Sequence, residues 1–416
     1  MYRNKGCKMI KACFFVCVLF SLGLLTACEQ ESDILELEPQ KIESTVERDK
    51  VVHEEHSIAG TEAMESEKAN ASESTEIQEN IEAVKTEEFK KMFGENCIAE
   101  QTFEVELSEY AGEVYFVPFA PTAEQGFTIQ IMRDGEVLAE LDSYVPSGLA
   151  GEAFTSLDAV SFYDVNFDNC TDIVLIETYG NTSFAAVYYG FDTEGEDYSR
   201  HFSVQEQLSE NLTEQAEAVT VSAIRKLIAD GTKNGDFVSY QDAYEAVSRL
   251  SELEKSQEEE YNLIYFDEDD IPELVVGLDG YYNSLYTYHD GTVYTLMEQW
   301  PYGAMGNVGY EYVPGKNSLL NYNTDYAGAI LYTTYMAMNE QYDMELVAQI
   351  TTYNFDDVNE NGMPDENEEG SLGYYSKSYI NGKEASTEEC EAYSLEGYEY
   401  IQVNMSVEDL KAALNN

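Results

Sequence analysis

Short runs of alternating hydrophobic and polar residues dominate the chain after residue 86, which is the pattern of half-buried β-strands. Turn dipeptides separate many of these runs, among them Asp134-Gly135, Asp290-Gly291, Pro314-Gly315 and Asn381-Gly382. Asp-Gly and Asn-Gly between strand-like runs strongly favour β-hairpins. Pro118 predicts an edge strand, because proline cannot donate to a ladder. The pattern predicts a mainly β fold of hairpin meanders, forming part of a propeller or a sandwich, with short helices and an α+β C-terminal domain.

A helical period interrupts the strand pattern between residues 206 and 260. Apolar residues recur there three or four positions apart, which forms one stripe along an amphipathic helix. The stripe consists of Tyr240, Ala243, Tyr244, Val247 and Leu250. We interpret it as a packing face. The change of period divides the chain into a β-rich domain at 86–205, a helical insert at 206–260 and an α+β domain at 261–416.

The first 27 residues combine a basic start with a short apolar run, which is typical of a secretory signal peptide. The run ends in Leu25-Thr26-Ala27-Cys28, which resembles the lipobox of bacterial lipoproteins. The resemblance implies that Cys28 becomes the lipidated N-terminus of an extracytoplasmic protein anchored to the cell membrane. Residues 28–85 are acidic and lack aromatic side chains, so they predict a disordered tether. The long tether, together with the lipobox, points to a Gram-positive bacterium.

The formal net charge of −59 at pH 7 limits the choice of partner. Nucleic acids are bound through clustered Lys and Arg side chains, so we predict no nucleic-acid partner. Cations, basic proteins and neutral glycans are compatible with so acidic a chain.

The most specific chemical pattern is the acidic stretch from residue 357 to 368. Side-chain oxygens stand at its positions 1, 3, 5, 9 and 12, and Gly362 takes the turn position 6. This order resembles the calcium loops of EF-hand and thrombospondin type 3 proteins, in which the last acid binds through both oxygens. The resemblance implies calcium as the cofactor and these ligands: Asp357, Asn359, Asn361, the carbonyl of Met363, Asp365 and Glu368. Because strand-like residues precede the loop, we interpret it as a calcium staple between β elements rather than a sensor.

A second acidic loop runs from residue 164 to 172 between two strand-like segments. Oxygen side chains stand at its positions 1, 3, 5 and 9, and Asn169 takes the turn position, where Asn tolerates left-handed geometry. The pattern resembles the calcium loops of FG-GAP and VCBS-type repeats. The ligands implied are Asp164, Asn166, Asp168, Asp172 and the carbonyl of Cys170. A third, less complete relative follows at residues 265–274, where the ligands would be Asp267, Asp269 and Glu273.

Catalytic patterns are missing from the sequence: it contains no G-x-S-x-G, H-E-x-x-H or phosphate-binding glycine loop, so we assign no catalytic residue. Trp300 and Tyr302 lie in a glycine-rich stretch and have two interpretations. They could contact a glycan or peptide, or the stretch could pack its Trp into the core, which we favour.

These observations predict a lipid-anchored surface protein whose calcium-stabilised domains bind or scaffold a glycan or a protein. Two alternatives stay open. One is an envelope glycan hydrolase that uses paired carboxylates. The other is an inhibitor of basic lytic enzymes, which the strong negative charge would attract. A binding role is favoured over an enzymatic one.

Overall fold

The computed structural model describes residues 85–108, 110, 112–141, 143–191, 202–254, 258–304, 306–357, 361–364 and 375–415. The predicted signal peptide, the predicted lipidation site Cys28 and almost all of the predicted tether lie outside these residues. The described part is mainly β, as predicted, and its strands pair antiparallel in four separate sheets. None of the helices in this part is long and apolar enough to span a membrane.

Sheet one is a four-stranded antiparallel meander that follows helix α1 (85–93). The predicted hairpin turn at Asp134-Gly135 joins its last two strands, and both turn residues have positive φ angles, 51° and 82°. Asp and Gly tolerate this geometry, which matches the twist of the flanking strands. The strands are β1 (Phe103–Glu106), β2 (Glu113–Phe119), β3 (Thr128–Arg133) and β4 (Glu136–Leu141).

Strand β2 lies between β1 and β3, so the edge position predicted from Pro118 is wrong. The pairing of β2 with β1 ends at Phe116. Pro118 therefore lies beyond the part of the strand where an N–H would be needed on that side. Its carbonyl still accepts a hydrogen bond from the Ile98 N–H at 2.8 Å.

Sheet two is a second four-stranded meander, and its second strand (Asp172–Tyr179) is buried on both faces. Ile173 and Leu175 pack against the core that sheet two shares with sheet one, whereas Val174 and Ile176 pack against the helices. Full burial of such a side chain stabilises the fold by about 1.5–3 kcal/mol. The strands are β5 (Phe154–Tyr163), β6 (Asp172–Tyr179), β7 (Thr182–Gly190) and β8 (Phe202–Val204).

A layer of helices follows sheet two. They are α2 (Glu206–Gln215), α3 (Val221–Ala229) and α4 (Tyr240–Glu254). The Thr220 hydroxyl caps α3 by accepting a hydrogen bond from the Ala223 N–H at 3.2 Å. The predicted stripe on α4 is a packing face: Ala243, Tyr244, Val247 and Leu250 belong to the core, and Tyr240 packs against it.

Sheets three and four complete the fold and share a core of their own. In sheet three, β10 repeats the arrangement of β6: Leu274 and Val276 face the helices, and Val275 faces sheet four. The strands of sheet three are β9 (Glu260–Ile264), β10 (Glu273–Leu278), β11 (Tyr282–His289) and β12 (Thr292–Pro301). The described part is thus layered as sheet one, sheet two, helices, sheet three and sheet four.

Sheet four is the largest, with seven strands in the order β18-β17-β16-β15-β14-β13-β19. The predicted turns at Pro314-Gly315 and Asn381-Gly382 join neighbouring strands within it, and Asp290-Gly291 does so in sheet three. A capping box of Ser386 and Glu389 opens α5 (Thr387–Glu391), and α6 (Val407–Leu414) is the last helix of the described chain. The strands are β13 (Tyr310–Tyr312), β14 (Leu319–Asp325), β15 (Ile330–Met338), β16 (Met344–Tyr353), β17 (Tyr375–Ile380), β18 (Lys383–Ala385) and β19 (Glu399–Tyr400).

Candidate metal centres

The loop between β5 and β6 and the loop between β9 and β10 have the same construction. Tyr163 pairs with Asp172 across the first loop, and Ile264 pairs with Glu273 across the second. Each residue of the first loop has its equivalent 101 positions later in the chain, as Asp172 and Glu273 do. We call residues 164–172 loop A and residues 265–273 loop B.

The last acid of each loop accepts hydrogen bonds from the backbone of the loop and from a neighbouring strand. Asp172 is fully buried; its Oδ2 accepts hydrogen bonds from Val165 N at 2.5 Å and Asn166 N at 3.3 Å, and its Oδ1 accepts one from Gly190 N at 2.8 Å. Glu273 is equally buried and accepts the Phe266 N–H at 2.6 Å and the Thr287 hydroxyl at 3.3 Å. The structure therefore gives both predicted ligands a role in closing their loops.

The other polar side chains of loop A bind the loop backbone and one another. Asp164 Oδ2 accepts hydrogen bonds from Asn169 N at 3.0 Å and from Asn234 Nδ2 at 2.7 Å. Asp168 Oδ1 accepts the Cys170 N–H at 2.7 Å, and its Oδ2 accepts the Asn166 amide at 3.0 Å. Within the described residues, Asp164 Oδ1 is inaccessible to solvent and makes no regular hydrogen bond, although the Phe167 N–H also stabilises the Asp164 carboxylate. That oxygen is therefore available to a cation.

Loop A concentrates negative charge in a poorly solvated place. Burial, and then the neighbouring Asp168 carboxylate, raise the pKa of Asp164 to about 7. Burial raises the pKa of Asp168 to about 6, against hydrogen bonds from the Cys170 N–H and the Asn166 amide. Burial and the carboxylates of Asp168 and Asp164 raise the pKa of Asp172 well above its usual range. A bound cation would offset this repulsion and favour the ionised carboxylates.

Loop A is held from outside by sheet three. Asn234 contacts both the Asp164 carboxylate and the Val293 backbone, donating to the Val293 carbonyl at 3.0 Å and accepting its N–H at 2.8 Å. Thr295 donates its hydroxyl to the Phe167 carbonyl at 2.9 Å. The sequence reasoning missed Asn234 and Thr295, because both lie more than 60 residues from the loop and belong to no motif.

Loop B brings together a mixed set of ligands. Asp267 Oδ1 accepts the Asp269 N–H at 2.9 Å, and Asp269 Oδ1 accepts the Ile271 N–H at 2.7 Å. Potential ligand atoms of Asp267, Asp269 and His289 all lie within 4.8 Å of one another, and no other such group of acidic, Cys or His side chains occurs in the described part. His289 belongs to no sequence motif and was not predicted as a ligand.

The start of the loop at 357–368 is described, and it has the turn that the pattern predicts. Asp357 accepts the N–H groups of Asn361 at 3.0 Å and Gly362 at 2.9 Å, and also the Tyr375 hydroxyl at 3.0 Å. Asn361 accepts the Met363 N–H at 2.8 Å, and Gly362 has a φ of 74°. The other predicted ligands, Asn359, Asp365 and Glu368, lie outside the described residues.

Trp300 and Tyr302, the two candidate contacts for a glycan or peptide, both contact the protein itself. Trp300 is partly buried against the core shared by sheets three and four, and its ring lies 5.6 Å from that of Tyr310. The Tyr302 hydroxyl accepts the Gly280 N–H at 2.9 Å. These contacts favour the packing interpretation of this glycine-rich stretch.

A pair of acids outside the three loops has a distinct environment. Burial and the neighbouring carboxylates of Glu259 and Glu298 raise the pKa of Glu254 to about 7, against the hydrogen bond from the Tyr189 hydroxyl. Surrounding protein and the Asp168 carboxylate raise the pKa of Glu298 to about 7, although its side chain is exposed. Glu254 and Glu298 are thus neighbouring acids whose pKa values are both raised.

The three loops and the pair of Glu254 and Glu298 offer different ligand atoms and different chemistry. Loop A and the described part of the loop at 357–368 offer oxygen ligands, which suit hard cations, whereas loop B adds an imidazole. Glu254 and Glu298 offer two carboxyl groups whose pKa values lie near neutrality, which is the range for acid–base chemistry. The chain matches no protein-family model, no curated protein and no solved structure.

Proposed function

We propose that this protein is a lipid-anchored, extracytoplasmic surface protein whose calcium-stabilised β domains bind a glycan or a protein. The lipobox-like residues before Cys28 support the anchor, and the acidic segment at 28–85 supports a tether between the anchor and the folded part. Several tyrosines with exposed rings support the binding role, since tyrosine supplies rigid contact area. The exposed tyrosines are Tyr265, Tyr281, Tyr322, Tyr326, Tyr393 and Tyr400.

The observation that carries the proposal is the interior of loop A. Asp164 Oδ1 is shielded from solvent without a hydrogen-bond partner in the described part. The Asp168 carboxylate lies close enough to raise the cost of ionising both Asp164 and Asp172. A buried, unpaired carboxylate oxygen is costly. Calcium accepts six to eight oxygen ligands and tolerates irregular geometry, so it would neutralise this loop better than any side chain nearby.

Thermal unfolding of the full-length chain in calcium, magnesium or chelator tests the proposal. Calcium should raise the unfolding midpoint more than magnesium does, since a ligand at 100 times its Kd stabilises the folded state by about 2.7 kcal/mol. Asp164→Asn and Asp357→Asn should each remove part of the rise. The matched control is Asp236→Asn, an exposed acid between α3 and α4, which should keep all of it. Equal midpoints in calcium and chelator would refute calcium binding.

The binding role needs a separate test. The calcium-loaded full-length chain should bind a subset of a glycan array or a basic protein partner, and Tyr281→Ala should weaken that binding if the exposed ring at the β10–β11 turn takes part. Binding to none of the glycans and to no basic protein would leave the calcium sites intact but remove the binding role.

The environment of Glu254 and Glu298 favours one alternative, an envelope glycan hydrolase. Two neighbouring carboxyl groups with raised pKa values are what a glycosidase needs for its acid and its base. A reducing-end assay on purified cell-wall glycan would detect hydrolysis. Glu254→Gln and Glu298→Gln should each abolish it, whereas Glu340→Gln, at an exposed position, should not. Absence of any released sugar would exclude this alternative for that substrate.

A further inference from the structure

We propose that loop B holds a borderline divalent metal ion of the zinc type, bound by Asp267, Asp269 and His289. This goes beyond the calcium sites proposed above, because the two loops share one construction but differ in the ligands they present. Where loop A has Asp164, loop B has the exposed Tyr265, and where loop A lacks an imidazole, loop B has His289 at the end of β11.

The distances within loop B fit a shared ion better than a direct contact. His289 Nδ1 lies 3.9 Å from Asp269 Oδ2, which is beyond hydrogen-bond range. Two ligands of a tetrahedral zinc ion, each about 2.1 Å from the metal, lie about 3.4 Å apart. The two atoms would therefore need to approach by roughly half an ångström to bind one ion. The loop N–H groups bind Oδ1 of each aspartate, which leaves Oδ2 for the ion.

Thr287 selects the histidine tautomer that can bind a metal. Its hydroxyl donates to Glu273 Oε1 at 3.3 Å and lies 3.1 Å from His289 Nε2. With Glu273 ionised, the hydroxyl proton is given to Glu273, and the Thr287 oxygen accepts the proton of Nε2–H. Nδ1, the nitrogen that faces Asp269, then carries the lone pair. Metal-bound histidines are commonly oriented in this way by a hydrogen bond at the other ring nitrogen.

The imidazole ring is also fixed by stacking. The Tyr342 ring lies against His289 with ring centres 3.9 Å apart and planes 13° from parallel. Tyr342 belongs to the turn between β15 and β16, so sheet four holds a ligand that sheet three supplies. Such pre-orientation lowers the entropy that the ligand loses when the ion binds.

The ligand set decides the kind of ion. Calcium and magnesium prefer oxygen ligands, and one imidazole takes a coordination position from them. Two carboxylates and an imidazole suit zinc and the neighbouring late transition metals, with water completing the shell. Asp269 and His289 keep 33% and 18% of their side-chain surface exposed, so an ion and its water can enter from solvent.

The test is a competition titration of the full-length chain with Zn²⁺ and a chromogenic chelator, in an excess of Ca²⁺ that saturates oxygen-only sites. We expect one Zn²⁺ site that calcium does not displace. His289→Gln and Asp269→Asn should each lower its affinity at least 100-fold. Thr287→Val should lower it by about tenfold, since partners of metal-bound histidines contribute about 10–100-fold, and Thr287→Ser should restore it.

His201→Gln, which removes a histidine elsewhere in the sequence, is the matched control and should bind Zn²⁺ like the wild type. Folding of the variants is checked by circular dichroism and by the calcium-dependent rise in unfolding midpoint, which His289→Gln should retain. That readout also separates failure of this proposal from failure of the calcium proposal. Undiminished Zn²⁺ affinity in His289→Gln, an equal loss in His201→Gln, or displacement of Zn²⁺ by Ca²⁺ would overturn the assignment.

Discussion

Replacing Asp172 with alanine tests whether this acid closes loop A as a structural element. The carboxylate accepts hydrogen bonds from Val165 N at 2.5 Å and Gly190 N at 2.8 Å, at a position with no solvent exposure. Alanine would leave both N–H groups buried without an acceptor. Because Val165 belongs to the loop and Gly190 to the end of β7, the substitution would detach the loop from its own sheet.

The magnitude follows from these two bonds. A buried donor that loses its acceptor costs about 1–3 kcal/mol, so two donors cost about 2–6 kcal/mol. Removal of a carboxylate whose pKa is raised by burial recovers part of that cost at neutral pH. We therefore expect Asp172→Ala to lower the free energy of unfolding by about 2–4 kcal/mol, a large share of the 5–15 kcal/mol typical of domains.

Urea unfolding at pH 7 in chelator measures this change without a contribution from calcium. Hydrogen exchange followed by mass spectrometry should show faster exchange at Val165 and Gly190 in the variant. The exposed Asp236→Ala is the control, with an expected change within about 0.5 kcal/mol. A loss below about 1 kcal/mol for Asp172→Ala, with protection retained at both amides, would refute the closing role.

Three further outcomes are expected. Burial raises the pKa of Glu177 to about 8; because the folded pKa lies above the unfolded one, its stabilising contribution is complete below pH 4.5 and is lost as pH rises towards 8. Glu177→Gln should therefore flatten the pH dependence of stability by up to about 1.4 kcal/mol per pH unit in that window, measured by urea unfolding. Gly291→Ala should destabilise the fold by about 1–3 kcal/mol in thermal unfolding, because φ is +89° and the new Cβ would lie 2.8 Å from the Gly235 carbonyl oxygen; an unchanged midpoint would contradict this. Cys28→Ala should abolish incorporation of labelled palmitate in a bacterial host, and labelling that persists would exclude lipidation at this residue.

The hairpins and helix caps could be predicted because their signals are local. Asp290 and Gly291 both tolerate the positive φ angles that their hairpin turn requires. Ser386 and Glu389 supply hydrogen-bond partners to the first turn of α5 without help from the rest of the fold. Helix α2 falls inside the predicted helical insert, but its own bounds were not predicted, because only Leu208 and Leu212 supply its apolar face. Its position depends on packing against β7 and α4, which no local pattern records.

The candidate sites could be predicted only in part, for a similar reason. The acids of loops A and B stand out in the sequence, but the pattern does not say which of their oxygens bind backbone N–H groups. Asp172 and Glu273 look like metal ligands in the sequence and close their loops in the fold. His289 reaches loop B only through the pairing of β10 with β11, which places Thr287 beside Glu273.

The repeated construction of loops A and B has a consequence for how metal preference can change. The acid that closes each loop is separate from the residues at the first, third and fifth positions, so substitutions at those positions need not unfold the loop. The first position holds Asp164 in one loop and Tyr265 in the other, within the same loop construction. Exchanging these positions between the loops is therefore a route to re-engineering ion selectivity while the β-sheets that carry the loops stay unaltered.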